Sequence, residues 1–146
     1  MSNYSIPHSH LEVFGGVRRR LTRLLGNRAG TLGLGPRQLI ALRHVHREGA
    51  LSMRALGELL SIDPAAVTRM VSSMEKSGWV KRKINSDDRR QAVVSLAPKA
   101  ASKMAQIDAI YDSLSKTMVS LMSKKEQSLF MDLLIRVDQS LAAVEN

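Results

Sequence analysis

The sequence predicts a mainly α-helical fold with one small β-hairpin. Only 3% of the 146 residues are aromatic, so a core must be built from Leu, Val, Ile, Met and Ala, which suits helices packed on helices. Apolar residues recur at spacings of three and four over most of the chain, as amphipathic helices require. The exception is a segment at 79–96 in which two strand-like runs flank a polar tip. The length fits one domain, residues 1–146.

Two helices are predicted in the first 50 residues. The first has an apolar face made by Leu11, Phe14, Val17, Leu21 and Leu24, with arginines at 18, 19, 20 and 23 on its wetter side. The stretch GNRAGTLGLGPRQ contains four glycines and a proline, so we predict that this helix ends near Gly26. Pro36 suits the first turn of a second helix, which runs to about Arg47 and is closed by Gly49.

The third and fourth helices are short and close together. Ser52 is a suitable N-cap for the segment MRALGELL. The residues SID interrupt it, and Asp63 followed by Pro64 starts the fourth helix, because the carboxylate accepts from free N–H groups and proline offers none. This helix runs to about Ser77, with Gly78 as its stop. Its inner face is Val67, Met70, Val71 and Met74, which leaves a small, hydroxylated face outside with one arginine.

The hairpin has WVKRKI and AVVSL as its strands and the polar residues 85–91 as its tip. Two acids and two arginines are crowded at this tip. Surface ion pairs contribute only about 0 to 1 kcal/mol, so stability alone gives little reason for the crowding. We therefore expect that a binding partner contacts these charged residues.

The C-terminal third predicts two more helices. After Pro98 a heptad-like seam is formed by Met104, Ile107, Tyr111, Leu114, Met118 and Leu121, and such a seam packs against another helix. The residues SKKE, beginning at Ser123, form a capping box that opens a last amphipathic helix. Its apolar positions are Phe130, Leu133, Leu134, Val137, Leu141 and Val144.

The formal charge of +9 is distributed unevenly. Residues 1–53 carry a net charge of +6 and residues 54–96 a net charge of +3, whereas acids and bases balance from Ala97 onward. A polyanion such as nucleic acid would therefore bind to the first two thirds of the chain.

The order of these elements is that of a winged helix-turn-helix at about 36–97. A recognition helix must bury one face on its own domain and present the other to base edges in a major groove about 12 Å wide, and arginines at a wing tip can enter the minor groove. We therefore predict three sets of DNA-binding residues. The recognition helix supplies Pro64, Ala65, Ala66, Thr68, Arg69, Ser72, Ser73 and Lys76; the wing supplies Arg82, Lys83, Ser86, Asp88, Arg89 and Arg90; and Ser52, Arg54 and Ser61 support the motif.

These residues resemble the MarR (multiple antibiotic resistance regulator) family of transcription factors. The resemblance is carried by SMRALGELLSIDPAAVTRMVSSMEKSGWVKRK and SDDRRQAVVSLAPKA, in the family's order, and its most specific part is the Asp-Arg-Arg of the wing. It implies a homodimer built by helices at about 8–30 and 98–146. Each recognition helix would contact half of a palindromic DNA operator, and the protein would regulate transcription, most often as a repressor.

The resemblance also implies release from DNA by a small aromatic or anionic effector, and we place the ligand pocket at Phe14, His44, Met104 and Tyr111. The sequence departs from the family at Ile84, Asn85 and Ser86, where many members have Pro, Asp and Pro. There is no cysteine, which removes an oxidation-sensing mode. Which of Arg89 and Arg90 enters the minor groove stays open.

Other classes of protein have less support. We expect no cofactor, no metal site and no enzyme activity, because the glycine-rich stretch lacks the Lys-Ser/Thr ending of a phosphate loop and no nucleophile motif occurs. The alternatives left open are a nonspecific or architectural DNA-binding protein and a protein-interaction module. No stretch approaches the roughly 18 apolar residues of a membrane span. We expect a cytoplasmic protein of the bacterial or archaeal nucleoid.

Overall fold

The computed structural model describes residues 9–84 and 92–145, and it confirms the mainly α-helical class with a small antiparallel sheet. The backbone divides into two compact units, one ending at Tyr111 and the other beginning at Asp112. One domain over the whole length stays a prediction. The elements in chain order are α1 (His10–Gly30), α2 (Pro36–Glu48), β1 (Ala50–Ser52), α3 (Met53–Leu60), α4 (Pro64–Lys76), β2 (Val80–Ile84), β3 (Ala92–Leu96), α5 (Pro98–Met118) and α6 (Lys124–Ala142).

The first helix is longer than the sequence predicts. The expected end near Gly26 is wrong, because α1 continues to Gly30 and buries Ala29 completely. Gly26 serves close packing instead: a Cβ there would lie 3.2 Å from Cγ of Pro36. The positive φ angle that favours glycine occurs later, at Gly33, where φ is 69°.

The sheet has three strands rather than the two of a simple hairpin. β1 pairs with β3 through Ala50↔Ser95, Leu51↔Val94 and Ser52↔Val93, which gives the strand order β1-β3-β2. The prediction missed β1, because three residues are too few to show a strand period. Its effect is to tie the start of α3 to the returning strand of the wing, so the wing has a fixed base.

The core of the first unit is aliphatic, as the composition predicts. Helices α2, α3 and α4 bury one face each, and Trp79 and Val94 close the core on the side of the sheet. In α4 the predicted inner face is confirmed, with three of its four residues buried and Met70 partly buried. The fully buried side chains of the first unit include Leu39, Leu42, Val45, Leu56, Val67, Val71, Met74, Val94 and Ile107.

The second unit contains the end of α5 and all of α6. The predicted seam is wrong at Leu121, because α5 ends at Met118 and Leu121 is fully exposed in the turn that follows. In this turn the side-chain amide of Gln127 donates a hydrogen bond to the Met122 carbonyl at 2.9 Å. The capping box of Ser123 and Glu126 is confirmed, yet no residue of α6 is buried. Within the described ranges, no helix combines the length and hydropathy needed to span a bilayer.

Candidate nucleic-acid interface

The turn between α3 and α4 is held by local hydrogen bonds. Ser52 caps α3, its hydroxyl accepting from the Ala55 amide at 3.0 Å. At the other end Ser61 takes a left-handed conformation, with φ and ψ both 51°, which lets the Ile62 amide donate to the Gly57 carbonyl at 3.1 Å. A Cβ on Gly57 would lie 3.2 Å from both the Ile62 carbonyl and Cγ2 of Val67. A side chain at position 57 would therefore have to push the Ile62 carbonyl and Val67 away by a few tenths of an ångström.

The start of α4 is fixed by Asp63. Its carboxylate accepts from the Ala66 amide at 2.8 Å, and Pro64 occupies the first helical position. The bond from Ala66 lowers the pKa of Asp63, with a smaller contribution from the nearby charge of Arg69. The predicted start of the recognition helix is confirmed, and it sets the rotation at which α4 presents its outer face.

The outer face of α4 is small and polar, with two cations. Ala65, Thr68, Arg69, Ser73 and Lys76 are exposed, while Ala66 and Ser72 are partly buried. The Thr68 hydroxyl donates to the Pro64 carbonyl at 2.9 Å, which leaves its oxygen to accept a further bond. Since the opposite face is buried in the core, the structure brings these side chains to one continuous surface. Their role in binding DNA stays a prediction.

Arg54, predicted to support the motif, lies on the exposed side of α3. Its guanidinium pairs with the Glu58 carboxylate one turn later at 2.8 Å, and this pairing raises the pKa of Arg54. An exposed pair of this kind contributes little to stability. The role of Arg54 at the DNA interface stays a prediction.

A contact that the sequence analysis missed joins the recognition helix to the wing. Glu75 accepts from the Arg82 guanidinium at 3.0 Å and from the Arg82 amide at 3.3 Å. Arg82 was predicted to bind DNA, but its guanidinium is placed against α4. Lys81 and Lys83 beside it are exposed. No sequence signal marked this pair, because the seven-residue separation crosses a turn.

A second missed contact holds the other end of α4. The Lys99 ammonium donates to the Ser77 carbonyl at 2.8 Å and lies 4.5 Å from the centre of the Trp79 ring. A cation at a helix C-terminus complements the helix dipole. The recognition helix is thus anchored by Asp63 at its start and by Lys99 at its end.

Changing Glu75 to Gln tests whether this pair orients the wing. We expect the free energy of unfolding to fall by less than about 1 kcal/mol, because both side chains are partly exposed. Affinity for DNA should fall several-fold, since the base of the wing loses the ion pair that joins it to α4. Thermal unfolding and a DNA titration measure the two effects. The control is Glu48→Gln, which removes the same charge from an exposed pair with Arg47; equal affinities for both variants would contradict a positioning role.

The remaining wing residues lie outside the described part of the chain. Ser86, Asp88, Arg89 and Arg90 fall within residues 85–91, so their assignment to DNA stays a prediction. The two strands that lead to them are described, and they pair in register from Val80↔Leu96 to Ile84↔Ala92. Ile84, the last described residue of β2, is largely exposed.

The four predicted ligand-pocket residues have different surroundings. Met104 is buried in the core, whereas Phe14 is exposed on α1. Tyr111 lies under the Arg43 guanidinium, 3.8 Å from the ring centre, and burial raises its pKa. His44 contacts Arg47 at 2.8 Å, and burial, followed by the charges of Arg47 and Arg43, lowers its pKa. Their grouping as a pocket stays a prediction.

A cleft of about 740 Å³ lies elsewhere, against the helix-turn-helix itself. None of the four predicted pocket residues lines it. The cleft opens between α3 and the first turns of α4, and its walls include Met53, Gly57, Ile62, Pro64, Val67 and Thr68. In the part of the chain that the structure describes, no three His, Asp or Glu side chains form a group that could hold a metal ion.

The capped helix pair, the exposed face of α4 and the three-stranded wing define a winged helix-turn-helix protein. The model of the MarR family matches residues 34–92, which span α2 to the start of β3. YcgE of Bacillus subtilis, an uncharacterised helix-turn-helix regulator, is 31% identical over 110 residues, 70% of each chain. The chain belongs to the MarR family.

Two further proteins extend the comparison. MarR of Salmonella typhimurium, a multiple antibiotic resistance protein, is 31% identical over 86 residues, 59% of this chain. The match spans about 60% of that protein's length. A cysteine-to-serine variant of MarR from E. coli, solved with operator DNA, superposes with a TM-score of 0.76. It is 24% identical, and the match covers 86% of this chain and 91% of that one, which shows the shared fold.

Proposed function

We propose that the protein is a sequence-specific DNA-binding regulator of transcription that acts as a repressor in the cytoplasm, by binding and without catalysis. The observation that carries this proposal is the outer face of α4. Small side chains surround one arginine there, and the helix is fixed at both ends, so its backbone can approach base edges closely. The exposed Lys81 and Lys83 place positive charge on the adjacent strand, where the wing would contact phosphates.

Charge and the comparison with E. coli MarR support the same partner. The first 96 residues carry all of the net positive charge, and they include the whole winged helix-turn-helix. The E. coli protein that shares this fold binds operator DNA. We propose that Arg69 contacts a base edge. Phosphates would be contacted by Lys76, Lys83 and Arg54. The wing arginines, Arg89 and Arg90, would occupy the adjacent minor groove.

We propose that the active form is a homodimer. On α1 the side chains of Phe14, Val17 and Leu24 are exposed and lie on one face. On α6 apolar side chains are exposed on more than one face, among them Leu129, Met131, Leu133, Ile135, Val137 and Leu141. A helix that is apolar on several faces is normally buried against other parts of a protein or against a partner. A second copy of the chain would cover these faces and give the two-fold symmetry that a palindromic operator requires.

Footprinting on the DNA upstream of the protein's own gene tests this function. We expect protection of one inverted repeat, with half-sites separated by about one helical turn. The rival is a nonspecific or architectural DNA-binding protein without ligand control, which would protect DNA without a defined boundary. The control is a duplex of the same length and randomised sequence, titrated at the same salt concentration. Equal affinity for the upstream DNA and the randomised duplex would contradict the proposal.

We propose that a small aromatic or anionic effector releases the DNA. The cleft beside Pro64 and Thr68 supports this, because a ligand there would compete directly with DNA for the first turns of α4. Small aromatic acids should therefore displace a labelled operator in a titration. Amide chemical shifts then locate the site, either along the cleft or around Tyr111 and His44. If no compound displaces the operator at saturating concentration, effector control is contradicted.

A further inference from the structure

Helix α1 carries a cluster of arginines that the proposed DNA contacts do not use. Arg19, Arg20 and Arg23 follow Gly16 at spacings of three, four and seven residues, so all four positions share one helix face. Together they line a hollow of about 350 Å³. Gly16 forms its floor, because a glycine leaves the helix backbone uncovered between the arginine side chains.

The guanidinium of Arg19 lies back along the helix over two glycines. A Cβ built on Gly15 would be 3.4 Å from its Nη1 atom, and a Cβ on Gly16 would be 3.9 Å from its Nη2 atom. Both distances are ordinary van der Waals separations, so the Arg19 guanidinium lies close over the backbone of the two glycines.

The electrostatics of the hollow favour an anion. Arg19 and Arg23 lie one turn apart on this face, and like charges at this spacing repel each other. Glu12, one turn before Gly16, is the acid nearest along this face, but its carboxylate accepts from the Ser9 amide at 3.1 Å as part of the N-terminal capping box. A bound anion would relieve the repulsion between Arg19 and Arg23.

We propose that this hollow binds the phosphate group of a small phosphorylated molecule or of free phosphate. Guanidinium groups bind phosphate through paired N–H donors, and arginine is the preferred residue for such recognition. Arg19 and Arg23 lie on the side of α1 away from the apolar stripe of Phe14, Val17 and Leu24, whereas Arg20 borders that stripe, so a dimer formed through the stripe leaves Arg19 and Arg23 exposed. The inference is independent of the DNA contacts of α4.

Calorimetric titration of the full-length protein with sodium pyrophosphate, and separately with inorganic phosphate, tests the proposal at constant ionic strength. We expect saturable binding of pyrophosphate. The double variant Arg19→Ala/Arg23→Ala should bind at least about tenfold more weakly, because it loses two charge-assisted donors. Gly16→Glu should have the same effect, since it places a carboxylate in the hollow while keeping every arginine. Far-UV circular dichroism confirms that each variant is folded.

The matched control is Arg18→Ala/Arg37→Ala, which removes two exposed arginines that do not line the hollow. It should keep the affinity of the wild type within about twofold. Equal losses in both double variants, or no saturable binding to the wild type, would overturn the proposal. Weakened binding of random duplex DNA by Arg19→Ala/Arg23→Ala, without any binding of pyrophosphate, would also overturn it, because the cluster would then be a nucleic-acid contact.

Discussion

Replacing both Leu133 and Val137 of α6 by aspartate is expected to give a folded monomer that binds operator DNA at least about a hundredfold more weakly. The two side chains are 44% and 45% exposed in the protomer and lie one turn apart, so the protomer tolerates charge there. An interface between two copies would have to bury four unpaired carboxylates, which is strongly unfavourable. Loss of the dimer also removes the avidity of two linked half-site contacts, which amounts to roughly a hundredfold or more.

Sedimentation velocity and an operator titration measure the two parts of this result. The control is Ser102→Asp/Gln106→Asp, which adds the same charge at two exposed polar positions one turn apart on α5. It should remain dimeric and bind the operator within a few-fold of the wild type. A Leu133→Asp/Val137→Asp protein that stays dimeric would show that α6 does not form the interface.

The boundaries of the DNA-binding helices could be predicted because their signals are local. Ser52 caps α3 and Asp63-Pro64 starts α4, each through hydrogen bonds within a few residues. Gly49 and Gly78 close α2 and α4 with φ angles of 80° and 76°. Such signals depend on the backbone of the helix end itself, so they are visible in the sequence without any knowledge of packing.

The errors arose where a distant part of the chain decides the structure. Gly26 was predicted to end α1, but it lies inside the helix, where a Cβ would lie 3.2 Å from Cγ of Pro36. β1 exists because β3 pairs with it, and Leu121 continues the spacing of the seam although α5 has already ended. Spacing shows which residues can share a face, but it does not show what will cover that face.

In the candidate site, too, local patterns could be predicted from the sequence, and contacts between distant residues could not. The outer face of α4 followed from its period, whereas Arg82 is held by Glu75 from the preceding helix. A basic residue in a strand has the same appearance in sequence whether it meets a phosphate or a carboxylate of its own protein. Only the fold shows that Arg82, between Lys81 and Lys83, pairs with Glu75.

Replacing Arg69 by alanine is expected to weaken operator binding by about 5- to 150-fold and to relax base preference at one or two positions of each half-site. A guanidinium that donates two hydrogen bonds to a guanine is worth roughly 1 to 3 kcal/mol of discrimination. Arg69 is exposed on the outer face of α4 and is surrounded by small side chains, so it can reach a base edge without a clash. Titrations with a set of single-base operator variants at one salt concentration measure both effects.

Arg69→Lys separates recognition from charge, because lysine keeps the cation but lacks the planar pair of donors. If Arg69 contacts a base, the lysine variant should lose base preference nearly as fully as the alanine variant while retaining more of its affinity for random DNA. Uniform weakening on every sequence by Arg69→Ala, with recovery in Arg69→Lys, would instead make Arg69 a phosphate contact. Base preference would then have to come from Thr68, Ser72 and the wing, and the small outer face of α4 would serve to bring the backbone close rather than to present an arginine.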